Sequence, residues 1–130
     1  MRRILSILFA GAVLTACDEL PGTDSGQLQK SINVINKKCP RMLDSETRVD
    51  KVELKNENTI VYYYSLVNVL AQRVDTHQFN LALFPGILST IKLSPEMQSL
   101  RDAHMNIQYA YADKEGKPVY TFSITAKDYR

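Results

Sequence analysis

The strongest constraint on the fold is a strict alternation of apolar and polar residues near the C-terminus. Asn106, Gln108 and Ala110 separate the apolar members of the first run, which are Met105, Ile107, Tyr109 and Tyr111. A polar turn at residues 113–117 precedes a second alternating run, with Tyr120, Phe122 and Ile124 on one side. A period of two predicts β-strands, and each strand has one apolar and one small or polar face. The sheet is therefore predicted to be covered on one side only.

A second hairpin is predicted upstream. Val52 and Leu54 alternate with charged residues, residues 55–58 form a polar turn, and a second strand carries Ile60, Tyr62, Tyr64 and Leu66 on one face. β-branched and aromatic residues favour strands. The two hairpins together predict a four-stranded antiparallel sheet.

Helical periodicity precedes each hairpin. Leu28, Ile32, Ile35 and Cys39 recur at three- and four-residue spacing, and Pro40 is predicted to end this helix. Asp75 caps a second stripe, formed by Phe79, Leu83, Ile87 and Ile91, in which Pro85 is predicted to kink or restart the helix. Ser94-Pro95-Glu96 is a further helix start signal. We therefore predict an α+β fold, arranged like two α-β-β units, with the helices on one face of the sheet.

The N-terminus has the pattern of a secretory signal peptide. Two arginines precede an apolar run at residues 4–14, which ends in Leu14-Thr15-Ala16-Cys17. This ending resembles the lipobox of bacterial lipoproteins. The resemblance implies cleavage before Cys17, acylation of its thiol, and attachment to the membrane through the N-terminal lipid. It also implies that Asp18, directly after the lipidated residue, retains the protein on the periplasmic face of the inner membrane.

The predicted domain organisation follows from this boundary. Residues 1–16 are the signal peptide, residues 17–26 a lipidated tether rich in Pro, Gly, Ser and acids, and residues 27–130 a single domain. If the thiol of Cys17 is acylated, Cys39 has no second cysteine in the chain with which to form a disulfide. We expect Cys39 to be a buried, unreactive thiol on the first helix; the alternative is an intermolecular disulfide.

The mature part resembles a group of small Gram-negative envelope proteins. The similarity spans about residues 32–124 and is carried by Pro40, Asp44 and Thr47-Arg48-Val49-Asp50, by Tyr62-x-Tyr64, by Ser94-Pro95-Glu96-Met97, and by Tyr109-x-Tyr111 with Asp113 and Gly116. The group has no settled activity, so the resemblance supports the fold and assigns no chemistry.

The charge balance argues against a nucleic-acid surface. The chain has 16 basic and 14 acidic residues, and the two arginines of the signal account for the excess. The mature chain is formally neutral, and we predict no nucleic-acid partner.

Catalytic and metal-binding motifs are weak. Asp75-x-His77 and Asp102-x-His104 are the best metal candidates, but they stand at opposite ends of the helical stretch, and no phosphate loop, nucleophile elbow or Cys-x-x-Cys occurs. We therefore predict a protein without cofactor or metal that is not an enzyme. The alternative is a small periplasmic hydrolase or metal-binding protein.

The predicted function is that of a binding or accessory module in an envelope machine for secretion, conjugation or exclusion, or envelope assembly. The expected partner is an envelope protein. If the tyrosines of the strands pack under the helices, the opposite face of the sheet is free to bind it. The residues of that face predicted to contact a partner are Val61, Tyr63, Val67 and Val119.

Overall fold

The structure is a computed structural model that describes residues 25–130. The predicted signal peptide, Cys17, Asp18 and the tether up to residue 24 lie outside the described residues. The elements, in chain order, are α1 (Ser25–Lys37), β1 (Arg41–Met42), β2 (Thr47–Lys55), β3 (Thr59–Leu66), α2 (Thr76–Leu93), α3 (Gln98–Asp102), β4 (Asn106–Ala112), β5 (Pro118–Ile124) and α4 (Ala126–Tyr129). Short 3₁₀ turns at Ala71–Arg73 and Pro95–Met97 flank α2.

The strands form one mixed sheet in the order β1-β2-β3-β4-β5. The predicted α+β class and both hairpins are confirmed, but the four-stranded antiparallel arrangement is wrong in two respects. The short strand β1 adds a fifth strand by pairing with β2. In addition, β3 and β4 are parallel, with Tyr62 beside Tyr109. The reason is that the α2 and α3 connection carries the chain back along the sheet before β4 begins, as a parallel crossover requires.

Helix α1 begins at Ser25, so Ser25 and Gly26 are helical rather than part of the predicted tether. Leu28 and Ile32 are buried as predicted. The helix ends at Lys37, and Cys39 lies beyond it, half-buried, with Sγ 3.5 Å from the carbonyl oxygen of Ile35. The expectation that Cys39 completes a buried helical stripe is therefore wrong, because the helix stops two residues earlier. Its low reactivity stays a prediction.

Helix α2 is continuous through Pro85, which neither restarts nor divides it. Its predicted cap is confirmed, since the side chain of Asp75 accepts a hydrogen bond from the backbone N–H of Gln78. The side chain of Ser94 likewise accepts a hydrogen bond from the backbone N–H of Glu96, at the start of the 3₁₀ turn Pro95–Met97. None of the helices within residues 25–130 is both long and apolar enough to cross a bilayer.

The core lies between the sheet and the helices on one of its faces. Helix α1 packs against β2, and α2 packs against β5. The least exposed large side chains of this layer are Ile32, Ile91, Ile107, Phe122 and Ile124.

Asp113 fastens the β4–β5 turn to the chain before α2. Its buried carboxylate accepts hydrogen bonds from the N–H groups of Ala71, Glu115 and Lys117, at 2.8 to 2.9 Å. These bonds, first the one from Ala71, lower the pKa of Asp113 although burial opposes the shift. The turn that the sequence predicts as a local feature is therefore also a tertiary contact.

A candidate functional site: the tyrosine groove between two helices

The two main helices leave the middle of the sheet partly uncovered. Helix α1 packs on β2 and α2 on β5, which are three strand spacings apart, or roughly 14 Å. Helices in direct contact lie about 8–10 Å apart. A groove therefore remains over β3 and β4, and we call it the tyrosine groove.

The main part of the tyrosine groove has a volume of about 380 Å³. Its floor is formed by Tyr62, Tyr64 and Tyr109. The other lining residues belong to α1, to β1 and the segment after it, to β2, and to the end of α2 with the turn that follows it. They are Ile35, Arg41, Leu43, Val49, Val52, Thr90, Ser94, Glu96 and Met97. Ile35 and Leu43 are 37% and 47% exposed, so the groove presents apolar side chains to its opening.

The groove continues along α2. A second cavity of about 410 Å³ is lined by Ala82, Leu83, Gly86 and Ile87, and it shares Tyr64, Thr90 and Tyr109 with the first. Gly86 widens this part, because a Cβ atom built on it would have no heavy atom of another group within 4 Å. The two cavities together form one elongated site beside α2.

The three floor tyrosines make a compact aromatic cluster. The rings of Tyr62 and Tyr64 are nearly parallel, at an interplanar angle of 7°, with centroids 6.4 Å apart. Tyr109 is perpendicular to both, at 5.1 and 5.5 Å. Edge-to-face pairs of this kind stabilise a surface beyond simple apolar burial. The floor is therefore a rigid surface that combines ring faces with phenolic hydroxyl groups.

The floor hydroxyls stay protonated at neutral pH. Burial, and then the carboxylate of Glu96, raises the pKa of Tyr62 to about 12. Burial also raises the pKa of Tyr64 and Tyr109 well above 10, and the mutual proximity of the tyrosine hydroxyls adds to the shift. The floor tyrosines consequently offer neutral hydrogen-bond donors rather than a general base.

The opposite face of the sheet is more closed than predicted. Val61 is only 1% exposed, so its assignment to a partner-contacting face is wrong. It lies between Glu53 on β2 and Gln108 on β4, and the neighbouring Tyr63 donates a hydrogen bond to Glu53 at 2.7 Å. A partner cannot reach Val61 past these side chains.

Tyr63, Val67 and Val119 are half-buried. Lys51 lies over the ring of Tyr63, with Nζ 4.8 Å from the centroid. The hydrogen bond to Glu53, followed by burial, raises the pKa of Tyr63 to about 12. Tyr63 is thus held by its own sheet neighbours, and its role in binding a partner stays a prediction.

The two histidines do not share an element. His77 is in the first turn of α2, and His104 follows α3 with a positive φ of 55°. No group of three or more His, Cys, Asp or Glu side chains within the described part of the chain is arranged to hold a metal ion. A further cavity of about 430 Å³ lies beside His104 and Lys127 and shares no lining residue with the tyrosine groove.

The sequence placed the floor tyrosines under the helices but did not reveal that they line an opening. One signal was available. Positions 62, 64 and 109 carry Tyr where a fully covered strand would favour Ile, Val or Leu. Tyrosine has an apolar ring and a polar tip, which suits a surface that is only partly covered.

Comparison with solved structures gives three similar folds. A Pseudomonas aeruginosa protein, PA3611, described as a candidate secreted protein, aligns over 88% of this chain and 100% of its own length, with a TM-score of 0.67 and 15% identity. EpsS, the type 2 secretion system pilotin of Vibrio vulnificus, aligns over 88% and 98%, with a TM-score of 0.61 and 10% identity. AspS, the type II secretion system pilotin of Vibrio cholerae, aligns over 76% and 85%, with a TM-score of 0.56 and 10% identity.

At these identities the similarity establishes the fold. A search of curated proteins gives no match to the sequence. A family model described as a domain of unknown function, DUF8479, matches residues 25–121, which include α1, the whole of the tyrosine groove and most of β5. The chain therefore belongs to the DUF8479 family.

Proposed function

We propose that this protein is a membrane-anchored accessory lipoprotein of a bacterial secretion machine, and that its tyrosine groove holds a segment of a partner protein of that machine. The observation that carries the proposal is the open apolar groove between α1 and α2. The fold that positions these helices is shared with two pilotins of type II secretion systems.

The proposed anchor is the lipid on Cys17, inferred from its similarity to the lipobox. Helix α1 begins at Ser25, so seven residues separate Cys17 from the first described element. Seven residues span at most about 25 Å when fully extended. The domain is therefore kept close to the bilayer. Asp18, directly after the lipidated residue, favours a location on the periplasmic face of the inner membrane. Recovery of the protein with outer-membrane markers in a sucrose gradient would contradict this location.

The proposed occupant is an amphipathic protein segment. Ile35, Leu43, Val49, Leu83 and Ile87 all line the opening or its walls, so an apolar stripe would be desolvated along its length. The elongated shape beside α2 suits a helix laid in a groove, which is a common mode of peptide recognition. The high pKa values of the floor tyrosines support binding rather than acid–base catalysis.

Filling the groove tests the proposal. Gly86→Trp should place an indole in the open space beside Tyr64 and Thr90, since a Cβ atom at this position meets no other group within 4 Å, and so exclude the occupant. Gly86→Ala is the matched control, since it leaves most of the groove open and should stabilise the helix by up to about 1 kcal/mol. In a strain that carries each variant on the chromosome, we expect Gly86→Trp to reproduce the secretion defect of a deletion, and Gly86→Ala to secrete normally.

Photo-crosslinking locates the contact. A photoreactive residue at Thr90, in the groove, should crosslink to one defined envelope protein, whereas the same residue at Thr121, exposed on the opposite face, should not. Normal secretion by Gly86→Trp, or crosslinking to the same protein from Thr121 alone, would refute the groove as the binding site. The second result would instead favour the sheet face that contains Tyr63.

A further inference from the structure

The floor of the tyrosine groove contains hydroxyl groups that no residue of the described part of the chain pairs. The hydroxyl of Tyr63 donates to Glu53, that of Tyr120 accepts from Asn80, and that of Tyr129 donates to the carbonyl oxygen of Met105 at 2.6 Å. Within residues 25–130, the hydroxyls of Tyr64 and Tyr109 have no hydrogen-bond partner.

These two hydroxyls differ from the others in their surroundings. Tyr64 and Tyr109 line both parts of the groove, and Tyr109 is only 6% exposed. Their ring centroids are 5.5 Å apart. An occupant that covers the floor removes both hydroxyls from water. A hydroxyl that is covered without a new partner loses its hydration and costs binding free energy.

Resting on the proposed function, we infer that the segment bound in the groove carries a carbonyl-type hydrogen-bond acceptor, a Gln or Asn side chain or a free main-chain carbonyl, that docks on the hydroxyls of Tyr64 and Tyr109. The phenols donate, and the acceptor lies among the apolar side chains that fill the rest of the groove. This polar position discriminates against segments that are apolar throughout.

The local charges favour a neutral acceptor over a carboxylate. Glu96 lies in the groove wall close enough to Tyr62 to affect its hydroxyl. Asp44 acts in the same way on Tyr111, the strand neighbour of Tyr64. Arg41 is the cation of the opposite wall. A carboxylate bound at the floor would thus lie near two negative charges, Glu96 and Asp44, and one positive charge, Arg41. A neutral amide carbonyl avoids the electrostatic repulsion from the two acids.

A selection experiment on the full chain, purified as the cell produces it, tests the inference. The probe is a displayed library of 18-residue amphipathic helices, in which each position of the apolar stripe is Leu, Ile, Phe, Gln, Asn or Glu. Binders are selected in parallel on the wild type and on a Tyr64→Phe/Tyr109→Phe double variant. We expect Gln or Asn to be enriched at one stripe position on the wild type, and Leu, Ile or Phe to replace it on the double variant.

The selected peptides then give affinities by fluorescence anisotropy. A peptide with the enriched Gln should bind the double variant about tenfold more weakly, the equivalent of one hydrogen bond. Its Gln→Leu counterpart should bind the double variant more tightly than the wild type, because on the wild type it covers both hydroxyls without an acceptor. Enrichment of Glu, or of apolar residues alone, on the wild type would overturn the inference. The absence of any binder sensitive to Gly86→Trp would instead refute the proposed groove function.

Thermal unfolding supplies a readout that needs no peptide. Because the Tyr64 and Tyr109 hydroxyls bond to nothing else among the described residues, Tyr64→Phe and Tyr109→Phe should leave the midpoint unchanged or raise it. Tyr129→Phe removes a hydroxyl that is bonded to Met105, so it should lower the midpoint. A comparable loss in all three variants would show that the floor hydroxyls are already paired, and would overturn the inference.

Discussion

Asn36 connects α1 to the sheet by two hydrogen bonds, and its replacement is the sharpest test of how the groove wall is held. Its side-chain amide donates to the carbonyl oxygen of Val52 at 2.9 Å and accepts from the N–H of Val52 at 2.8 Å. β1 pairs with β2 only at Arg48 and Val49, so it does not reach Val52. Asn36 therefore takes the place of a strand partner at the open edge of β2.

Asn36→Ala should remove both bonds and leave the two backbone groups of Val52 without their partner. At about 0.5–1.5 kcal/mol for each bond, the expected loss in free energy of unfolding is about 1–3 kcal/mol. For a domain of this size, that loss lowers the Tm by roughly 5–15 °C. Since the neighbouring Ile35 lines the groove, the C-terminal turn of α1 should also become mobile.

The matched control is Asn33→Ala, one turn earlier in the same helix. Asn33 is exposed and, within residues 25–130, its side chain accepts a hydrogen bond from the side chain of Gln29 alone. Both substitutions replace Asn by Ala in the same helix, so their difference reports mainly the contact with Val52. Urea unfolding gives the free energies, and amide hydrogen exchange should show faster exchange at Val52 in Asn36→Ala alone. A Tm change no larger than that of Asn33→Ala would refute this account of the α1 anchor.

Four further predictions follow from individual residues. Glu57 has a positive φ of 65° in the β2–β3 turn, so Glu57→Gly should raise the free energy of unfolding by about 0.5–1 kcal/mol in a urea titration; a decrease would contradict the turn geometry. The lowered pKa of Asp113 gives a stabilisation that is fully present above its ordinary pKa of 3.8 and is lost as the pH falls through the folded pKa. Asp113→Asn should therefore be less stable at pH 7 and lose less on acidification, as followed by unfolding at pH 7 and pH 3. Because the pKa of Tyr62 is raised to about 12, its tyrosinate absorbance at 295 nm should appear near pH 12 in the folded protein instead of near pH 10. The stability that this shift provides is present below pH 10 and should be lost as the pH rises from 10 to about 12. Ionisation of Tyr62 near pH 10 in the folded protein would contradict its burial. Cys17→Ser should release the protein from membranes and abolish labelling by radioactive palmitate, whereas a variant that stays processed and membrane-bound would refute the lipid anchor.

Features that depend on neighbouring residues could be predicted from the sequence. Alternation fixes which side chains of a strand share a face, so Ile60 and Tyr62, and likewise Ile107 and Tyr109, face the helices as predicted. Asp75 and Ser94 are close enough to their N–H partners that the caps follow from spacing alone. The lipobox prediction rests on four consecutive residues and needs no fold.

Strand partners and edges could not be predicted in this way. The same alternation suits parallel and antiparallel neighbours, so no residue pattern indicates that β4 lies parallel to β3. β1 has only two residues, and no periodicity can identify so short a strand. The exposed fraction of Val61 likewise depends on the side chains of Glu53 and Gln108 from other strands.

The groove is the clearest product of tertiary structure. The sequence determines that Tyr62, Tyr64 and Tyr109 belong to the helix-facing side of the sheet. It does not determine that α1 packs on β2 and α2 on β5. These strands are roughly 14 Å apart, whereas helices in direct contact lie about 8–10 Å apart. That placement depends on contacts between residues far apart in the chain, such as Asn36 with Val52. The sum of these distant contacts turns three predicted core tyrosines into the floor of an open site.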